Sequence, residues 1–303
     1  MSSKRIFVTG ASGLIGRALL EGLAVDALES VRALTRVKRA ASGSVEWIEG
    51  DLGHVDFWAS ALEGCDALLH LGACTGRASA QDHARINLEA TRSLVRAARD
   101  ARVKRMVFVS TIAAGYPELD RYPYAAAKRE AEASVRASTL DWTILRPTIV
   151  LGPAGGIGPM LVGLARKRRT PLFGSGEVRL QPIGARDAAD LIAQALRDPA
   201  TLRETIDLGG PDVLTFAELL TRLRVAVGRE PKGLLHLPLG PAMTAAWSFE
   251  KLFGPRLPVL AGQLYAFRYD STARRSSFLD ARMARMTRID ALIAELAREG
   301  KHG

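Results

Sequence analysis

The chain has 303 residues, 48% of them hydrophobic, and a formal net charge of +10. That length and apolar content predict a large core in one domain or two unequal ones, and the basic balance favours anionic ligands or partners. Cys65 and Cys74 are the two cysteines and lack metal-ligand spacing, which argues against a disulfide framework or a metal site and for a reducing cytoplasm. A strand begins within a few residues of Met1, so no signal or transit peptide is expected and the protein reads as cytoplasmic. The uncharged run Gly233 to Phe249 contains Pro238 and Pro241 and is shorter than the roughly 20 apolar residues of a spanning helix. It reads as a surface open to a membrane or a partner, and no transmembrane segment is expected. Basic residues are scattered except for Arg36-Val37-Lys38-Arg39 and Arg166-Lys167-Arg168-Arg169. Neither zinc-ligand spacing nor aromatic–basic interleaving points to nucleic acid.

In chain order, Ile6, Phe7 and Val8 read as a buried strand, and Leu14 to Leu23 carry apolar residues at helical spacing. Between them runs Val8-Thr9-Gly10-Ala11-Ser12-Gly13-Leu14-Ile15-Gly16, with three glycines at three-residue spacing. A strand, a glycine turn and a helix N-terminus form an anion site, where the backbone can approach a pyrophosphate and offer free N–H groups to it. Further strands are expected to begin near Val31, Val45, Ala67, Val103 and Trp142, with helices near 55–63, 83–100 and 124–137. This alternation predicts an α/β fold, a doubly wound parallel sheet covered on both faces, over residues 1–150. Beyond that the rhythm loosens, with Gly and Pro gathered in 152–159 and 231–258. Residues 151–303 are expected to form mainly a smaller, more irregular C-terminal substrate lobe, with late elements at about 181–225 returning to the core.

Several positions fall where a dinucleotide needs them. Asp51, after the strand Val45–Glu49, can accept from an adenine amino group or cap the next helix. His70-Leu71-Gly72-Ala73 ends the fourth strand in small residues, as a backbone lying against a cofactor requires. Arg36 lies 20 residues beyond Gly16, where NAD-specific chains carry an acid that holds the ribose 2′-OH. A guidinium fork there can hold a 2′-phosphate, which favours NADP and leaves NAD open. Ser110-Thr111 ends the strand from Lys104, and Tyr124 and Lys128 stand four apart at the start of the next helix. They share a helix face, so the Lys128 ammonium is expected beside the Tyr124 phenol, lowering its pKa into the range of a general acid/base. Ser110 or Thr111 would bind the substrate oxygen. A core tyrosine with a solvated lysine is the alternative reading of the same spacing.

These pieces together resemble the short-chain dehydrogenase/reductases, most closely the extended and atypical branches with NAD(P)-dependent epimerases and dehydratases. The matching residues are Thr9-Gly10-x-x-Gly13-x-x-Gly16, Asp51-Leu52, His70-Leu71-Gly72-Ala73, Asn87, Ser110-Thr111, Tyr124-x-x-x-Lys128 and Leu145-Arg146-Pro147-Thr148-Ile149-Val150-Leu151-Gly152-Pro153. Gln181 to Ala189 and Ile206 to Pro211 resemble the family's late elements. The resemblance implies a Rossmann-like core and catalysis by Tyr124 and Lys128 with Thr111 or Ser110. It implies cofactor contacts at Gly10, Ser12, Gly13, Leu14, Ile15, Gly16, Arg36, Asp51, Leu52, Leu71, Gly72, Ala73, Asn87, Lys128 and Pro147. An oxidoreductase acting on a hydroxyl or carbonyl, an epimerase or dehydratase of the sugar-nucleotide type, and a non-catalytic NADP-binding accessory subunit all remain open. The substrate would be a small molecule, with Arg146 and the 166–169 cluster as candidates for facing an anionic group. A homodimer is also left open, and residues 226–303 match nothing that identifies a substrate.

Overall fold

The computed structural model describes residues 4–25, 29–40, 45–76, 78–152, 155–253 and 261–299. Seven strands form one sheet: β1 (Lys4–Thr9), β2 (Glu29–Thr35), β3 (Val45–Glu49), β4 (Ala67–His70), β5 (Arg105–Val109), β6 (Asp141–Pro147) and β7 (Thr205–Leu208). Their order is β7-β6-β5-β4-β1-β2-β3, and the registered pairs from β3 across to β6 are all parallel. β4 is buried throughout, and Ile6, Phe7 and Val8 in β1 are all fully buried. Strands with no solvent face are what a sheet covered by helices on both sides demands.

The covering elements include α1 (Leu14–Val25), α2 (Ala90–Asp100), α3 (Pro123–Arg136) and α4 (Ala185–Arg197). α2 continues a short helical turn, Ala80–His83, through a wider π-type turn, Ala84–Glu89. Residues 55–63, expected as a helix, instead form two short 3₁₀ turns, Leu52–Phe57 and Ala59–Leu62. The cause is local. Asp51 Oδ1 accepts from Gly53 N at 2.8 Å and the Trp58 indole donates to Asp51 O at 2.9 Å, while His54 leaves helical φ/ψ. These side-chain bonds compete with the α-helical ladder. Trp58 is thereby turned inward and stacks on Phe7, with ring centroids 5.4 Å apart.

The chain divides into two compact units: residues 1–115, 123–146 and 188–206 in one, and 116–122, 147–187 and 207–303 in the other. The first holds a core of Phe7, Leu34, Trp58, Leu68, Leu94, Met106, Phe108 and Ile144 among others. The second is built from short strand pairs and helices, including Gly158–Ala165, Phe216–Ala226, Leu239–Phe253 and Ile289–Glu299. Its main core gathers Leu161, Leu172, Phe216, Leu220, Leu292 and Leu296. Within it the buried Arg224 donates to the carbonyls of Lys167, Glu230 and Lys232 and to Thr170 Oγ1. Lys167 of the 166–169 cluster therefore supplies a backbone acceptor to a buried guanidinium. Pro153, Pro255 and Pro258, three of the prolines expected to mark the loosened rhythm, lie outside the described residues. No helix among the described residues is long and apolar enough to cross a membrane.

Candidate active site

The chain winds from β1 outward to β2 and β3, then returns to the other side of β1 as β4. The gap beyond the carboxyl ends of β1 and β4 is therefore the switch point at which open α/β sheets take ligands. The glycine turn leaves β1 here. Gly10 has φ +74°, and a Cβ on it would lie 2.5 Å from Gly72 N, against the backbone leaving β4. A Cβ on Gly16 would fall on Gly10 O, so this glycine is required for α1 to pack on the turn. Gly13 is different. It is exposed, and its Cβ position has only Gly10 O near it, at 3.2 Å. The protein's own packing accounts for Gly10 and Gly16, whereas Gly13 leaves a bare backbone facing outward, as a pyrophosphate needs. Ser12 is exposed beside it, and Leu14 and Ile15 are half-buried in the first turn of α1.

A buried hydrogen-bond chain holds the two loops in place. Gly72 N donates to Thr9 Oγ1 at 3.1 Å, Thr9 Oγ1 meets His70 Nδ1 at 2.6 Å, and His70 Nε2 meets Thr91 Oγ1 at 3.0 Å. The Thr91 hydroxyl donates to Asn87 O at 2.8 Å. With its hydrogen committed there, Thr91 must accept from His70 Nε2–H, which leaves Nδ1 to accept from Thr9. Burial drives His70 well below the ordinary histidine range, with Lys128 adding to the effect, so the ring is neutral and this tautomer is consistent throughout.

Asn87 stands in the π-type turn and is buried. Its Oδ1 accepts from Cys74 N at 2.7 Å, and its Nδ2 donates to Cys74 O at 2.9 Å and to His83 Nδ1 at 3.2 Å. Here the Asn87 amide ties the Leu71–Cys74 loop, through Cys74, to His83. Leu71 and Ala73 in that loop are half-buried and Gly72 is buried. Asp51 caps the 3₁₀ turn, the alternative to an adenine contact, and Leu52 packs where a Gly72 Cβ would lie. Arg36 is exposed directly after β2, while Arg39 lies over the Trp47 ring at 4.9 Å. Pro147 closes β6 and is buried.

One strand further along, β5 ends at Val109 and Ser110-Thr111 follows. Thr111 Oγ1 accepts from Ala113 N at 3.4 Å and opens the 3₁₀ turn Ile112–Gly115. α3 is fastened to this strand end twice, through Lys128 Nζ to Val109 O at 2.7 Å and Arg129 Nε to Ala114 O at 2.8 Å. Lys128 is 1% exposed, and its ammonium lies 4.0 Å from the Phe108 ring centroid. Tyr124, half-buried one turn earlier, meets the His83 ring edge-on at 5.6 Å. Burial pushes the Tyr124 phenol up to about 12, with Cys74 adding to the rise. Lys128 is brought down to about 7 by burial, with Glu132 pulling the other way.

The expectation that Lys128 lowers the Tyr124 pKa is thus corrected. The Lys128 amine is aimed at Val109 O, and burial sets the phenol. Arg146 is corrected as well. It is not held for an anionic substrate but forks onto Glu132, with Nε to Oε1 at 2.8 Å and its outer nitrogen to Oε2 at 2.6 Å. Glu132, His83 and Cys74 were missed from the sequence. Only Glu132 had a signal, as the third member of the four-residue stripe Tyr124, Lys128, Glu132, Arg136.

A family model described as NAD(P)H-binding matches residues 10–199. The 4-hydroxy-2-methyl-3-oxo-4-farnesyl-3,4-dihydroquinoline-1-oxide ketoreductase of Stigmatella aurantiaca is 36% identical over 188 residues, 54% of this chain and 56% of that protein. The chain thus spans little more than half the length of that relative. The ceramide reductase of Caulobacter vibrioides is 30% identical over 253 residues, 80% of this chain and 78% of that one. UDP-glucose 4-epimerase of Vibrio cholerae is 27% identical over 281 residues, covering 83% and 81%. The fold matches a short-chain dehydrogenase/reductase superfamily protein of Agrobacterium tumefaciens crystallised with NAD, at TM-score 0.69, 22% identity and 98% and 97% coverage. With the glycine turn at the switch point and a family match over more than half its length, the chain belongs to the NAD(P)H-binding family.

Proposed function

We propose that the chain is an NAD(P)-dependent reductase that converts a ketone carbonyl to a hydroxyl, acting through Tyr124 and Lys128 with Thr111. The observation that carries this reading is the buried Lys128 at the carboxyl end of β5, one helical turn from Tyr124 and bonded to Val109 O at 2.7 Å. When bound, the nicotinamide cofactor supplies the hydride that reaches the carbonyl carbon. Tyr124 Oη gives its proton to the carbonyl oxygen as negative charge develops there. A phenol pushed up to about 12 is fully protonated at neutral pH, which suits a proton donor in reduction better than a base in alcohol oxidation. The Thr111 hydroxyl orients the same oxygen. Lys128, at about 7, holds a proton near neutral pH that it can return to the tyrosinate.

The reductase relatives support the same direction and suggest the substrate class. One is named for a 3-oxo compound with a farnesyl chain and the other for ceramide. A ketone carried on a long apolar tail is the class we assign. Arg36, exposed after β2, supports NADPH over NADH as the working cofactor.

The test follows NADPH consumption by the purified protein with a series of aliphatic 3-oxo compounds of increasing tail length. Tyr124→Phe is expected to lower kcat by about 10²–10⁴ with cofactor affinity unchanged. Full activity in that variant ends the Tyr–Lys mechanism. Conversion of UDP-glucose without net cofactor consumption favours the epimerase reading instead, which the Vibrio cholerae relative supports.

A further inference from the structure

Tyr124, Lys128, Glu132 and Arg136 stand at four-residue intervals along α3 and so form one stripe. Glu132 is fully buried yet carries a carboxylate. Arg146 from β6 forks onto both of its oxygens, and Arg136 adds a bond to Oε2 at 2.8 Å. Burial alone would push the Glu132 carboxyl up, but the hydrogen bonds and charge of Arg146, the nearby Ser110 hydroxyl and Arg136 outweigh it and keep Glu132 ionised. Ser110 Oγ is itself buried without a well-formed hydrogen bond.

The surroundings of Lys128 contain little else to balance a positive charge. β4 presents the neutral His70, β5 presents the Phe108 ring and the Val109 carbonyl, and α3 presents Tyr124 and Glu132. Glu132 is the carboxylate that acts on Lys128 among the described residues. Two guanidiniums already lean on it, so its loss would leave Lys128 facing uncompensated positive charge from Arg146 and Arg136.

We propose that Glu132 is a positioning residue for the reaction: clamped by Arg146 and Arg136 one helical turn beyond Lys128, its carboxylate is the counter-charge on which the Lys128 ammonium relies when it resupplies a proton to Tyr124. The proposal rests on the reductase reading for what Lys128 does, but its first test needs no substrate.

That test is 13Cε-lysine NMR across a pH titration of the purified full chain, with Lys128→Met used to identify the Lys128 signal. Glu132→Gln keeps the side-chain volume and one acceptor for Arg146 while removing the charge. Its Lys128 midpoint is expected about 1–2 pH units below that of the native protein, as removal of one unit charge a helical turn away predicts at a protein-like dielectric. Should Glu132→Gln fail to fold, Arg146→Met removes a cation instead and must move the midpoint upward. An unchanged midpoint in whichever variant folds overturns the proposal, even if ketone reduction proceeds. Once turnover is measured, the basic limb of the kcat profile should move down with the NMR midpoint in Glu132→Gln. In the double variant Glu132→Gln, Arg146→Met it should return toward the native position. A uniform loss of rate with an unmoved limb would mark Glu132 as structural and also overturn the proposal.

Discussion

Lys128 should make the fold less stable, and by an amount that depends on pH. Free lysine titrates near 10.4, whereas burial brings Lys128 down to about 7. Between those values the unfolded chain holds a proton that the folded chain has released, so unfolding takes up one proton. Stability contributed by this site therefore rises with pH across the window, by about 1.4 kcal/mol per unit. At neutral pH the cost of carrying Lys128 is about 3–5 kcal/mol, a large share of a typical domain's stability. Lys128→Met removes that cost while losing the hydrogen bond to Val109 O, which is worth about 1 kcal/mol. The variant should thus exceed the native protein in stability by about 2–4 kcal/mol near pH 7, and the gain should shrink by about 1.4 kcal/mol for each unit of rising pH. Urea unfolding of both proteins at about pH 7, 8 and 9 measures this directly, since other titrating groups cancel in the difference. Stability curves that run parallel over this range would show that Lys128 keeps an ordinary pKa in the fold, and the reasoning from burial would fail. The same variant should lose turnover, so its added stability would measure what the site costs the fold.

Arg36→Asp should weaken NADPH binding by about tenfold or more while leaving NADH binding similar or better, because a forked charge-assisted contact is replaced by repulsion. Fluorescence titration with both cofactors measures it, and native protein binding NADH at least as tightly as NADPH would remove the assignment. Gly13→Val should abolish cofactor binding with little change in Tm, since nothing but Gly10 O lies near its Cβ. Gly10→Val should instead unfold or strongly destabilise the protein, because its side chain would be driven into the Gly72 backbone. Matching melting curves for the two variants would refute that division of roles. Asn87→Ala should cost about 1–3 kcal/mol by leaving the buried Cys74 backbone groups unsatisfied, and denaturant unfolding would report it.

The N-terminal fold was legible because its signals are local. Continuous apolar runs such as Ile6-Phe7-Val8 and Ala67-Leu68-Leu69 are what doubly covered parallel strands require, and the strand starts near Val45 and Ala67 agree with the structure to the residue. The start of α3 is also local, and Tyr124 and Lys128 could be placed on it from spacing alone. The helix expected at 55–63 failed because Asp51 and Trp58 satisfy backbone and side-chain partners in a way that hydrophobic periodicity does not encode. The second unit was harder to read for a different reason. Pairs as short as Val150–Leu151 with Ile183–Gly184 have no pattern of their own and exist only through partners more than thirty residues away.

The candidate site divides along the same line. Residue types at the glycine turn and along α3 could be read, but what each side chain does depends on groups brought in from elsewhere. Asn87 reads as a ligand from its motif, and its part as a brace shows only once Cys74, 13 residues earlier, is found at both ends of its amide. Arg146 reads as an anion receptor until Glu132, 14 residues earlier, is found beneath it. Lys128 reads as the group that acidifies Tyr124, yet the same burial that makes it catalytically useful also strips part of its charge and raises the phenol it was meant to lower. Spacing along a helix fixes which side chains are neighbours. The dielectric they share is fixed by the sheet beneath them, and that decides whether the lysine is an ammonium. Against that burial the Glu132 carboxylate, one further turn along α3, pulls the other way, and it is held there by an arginine that β6 carries to the same place.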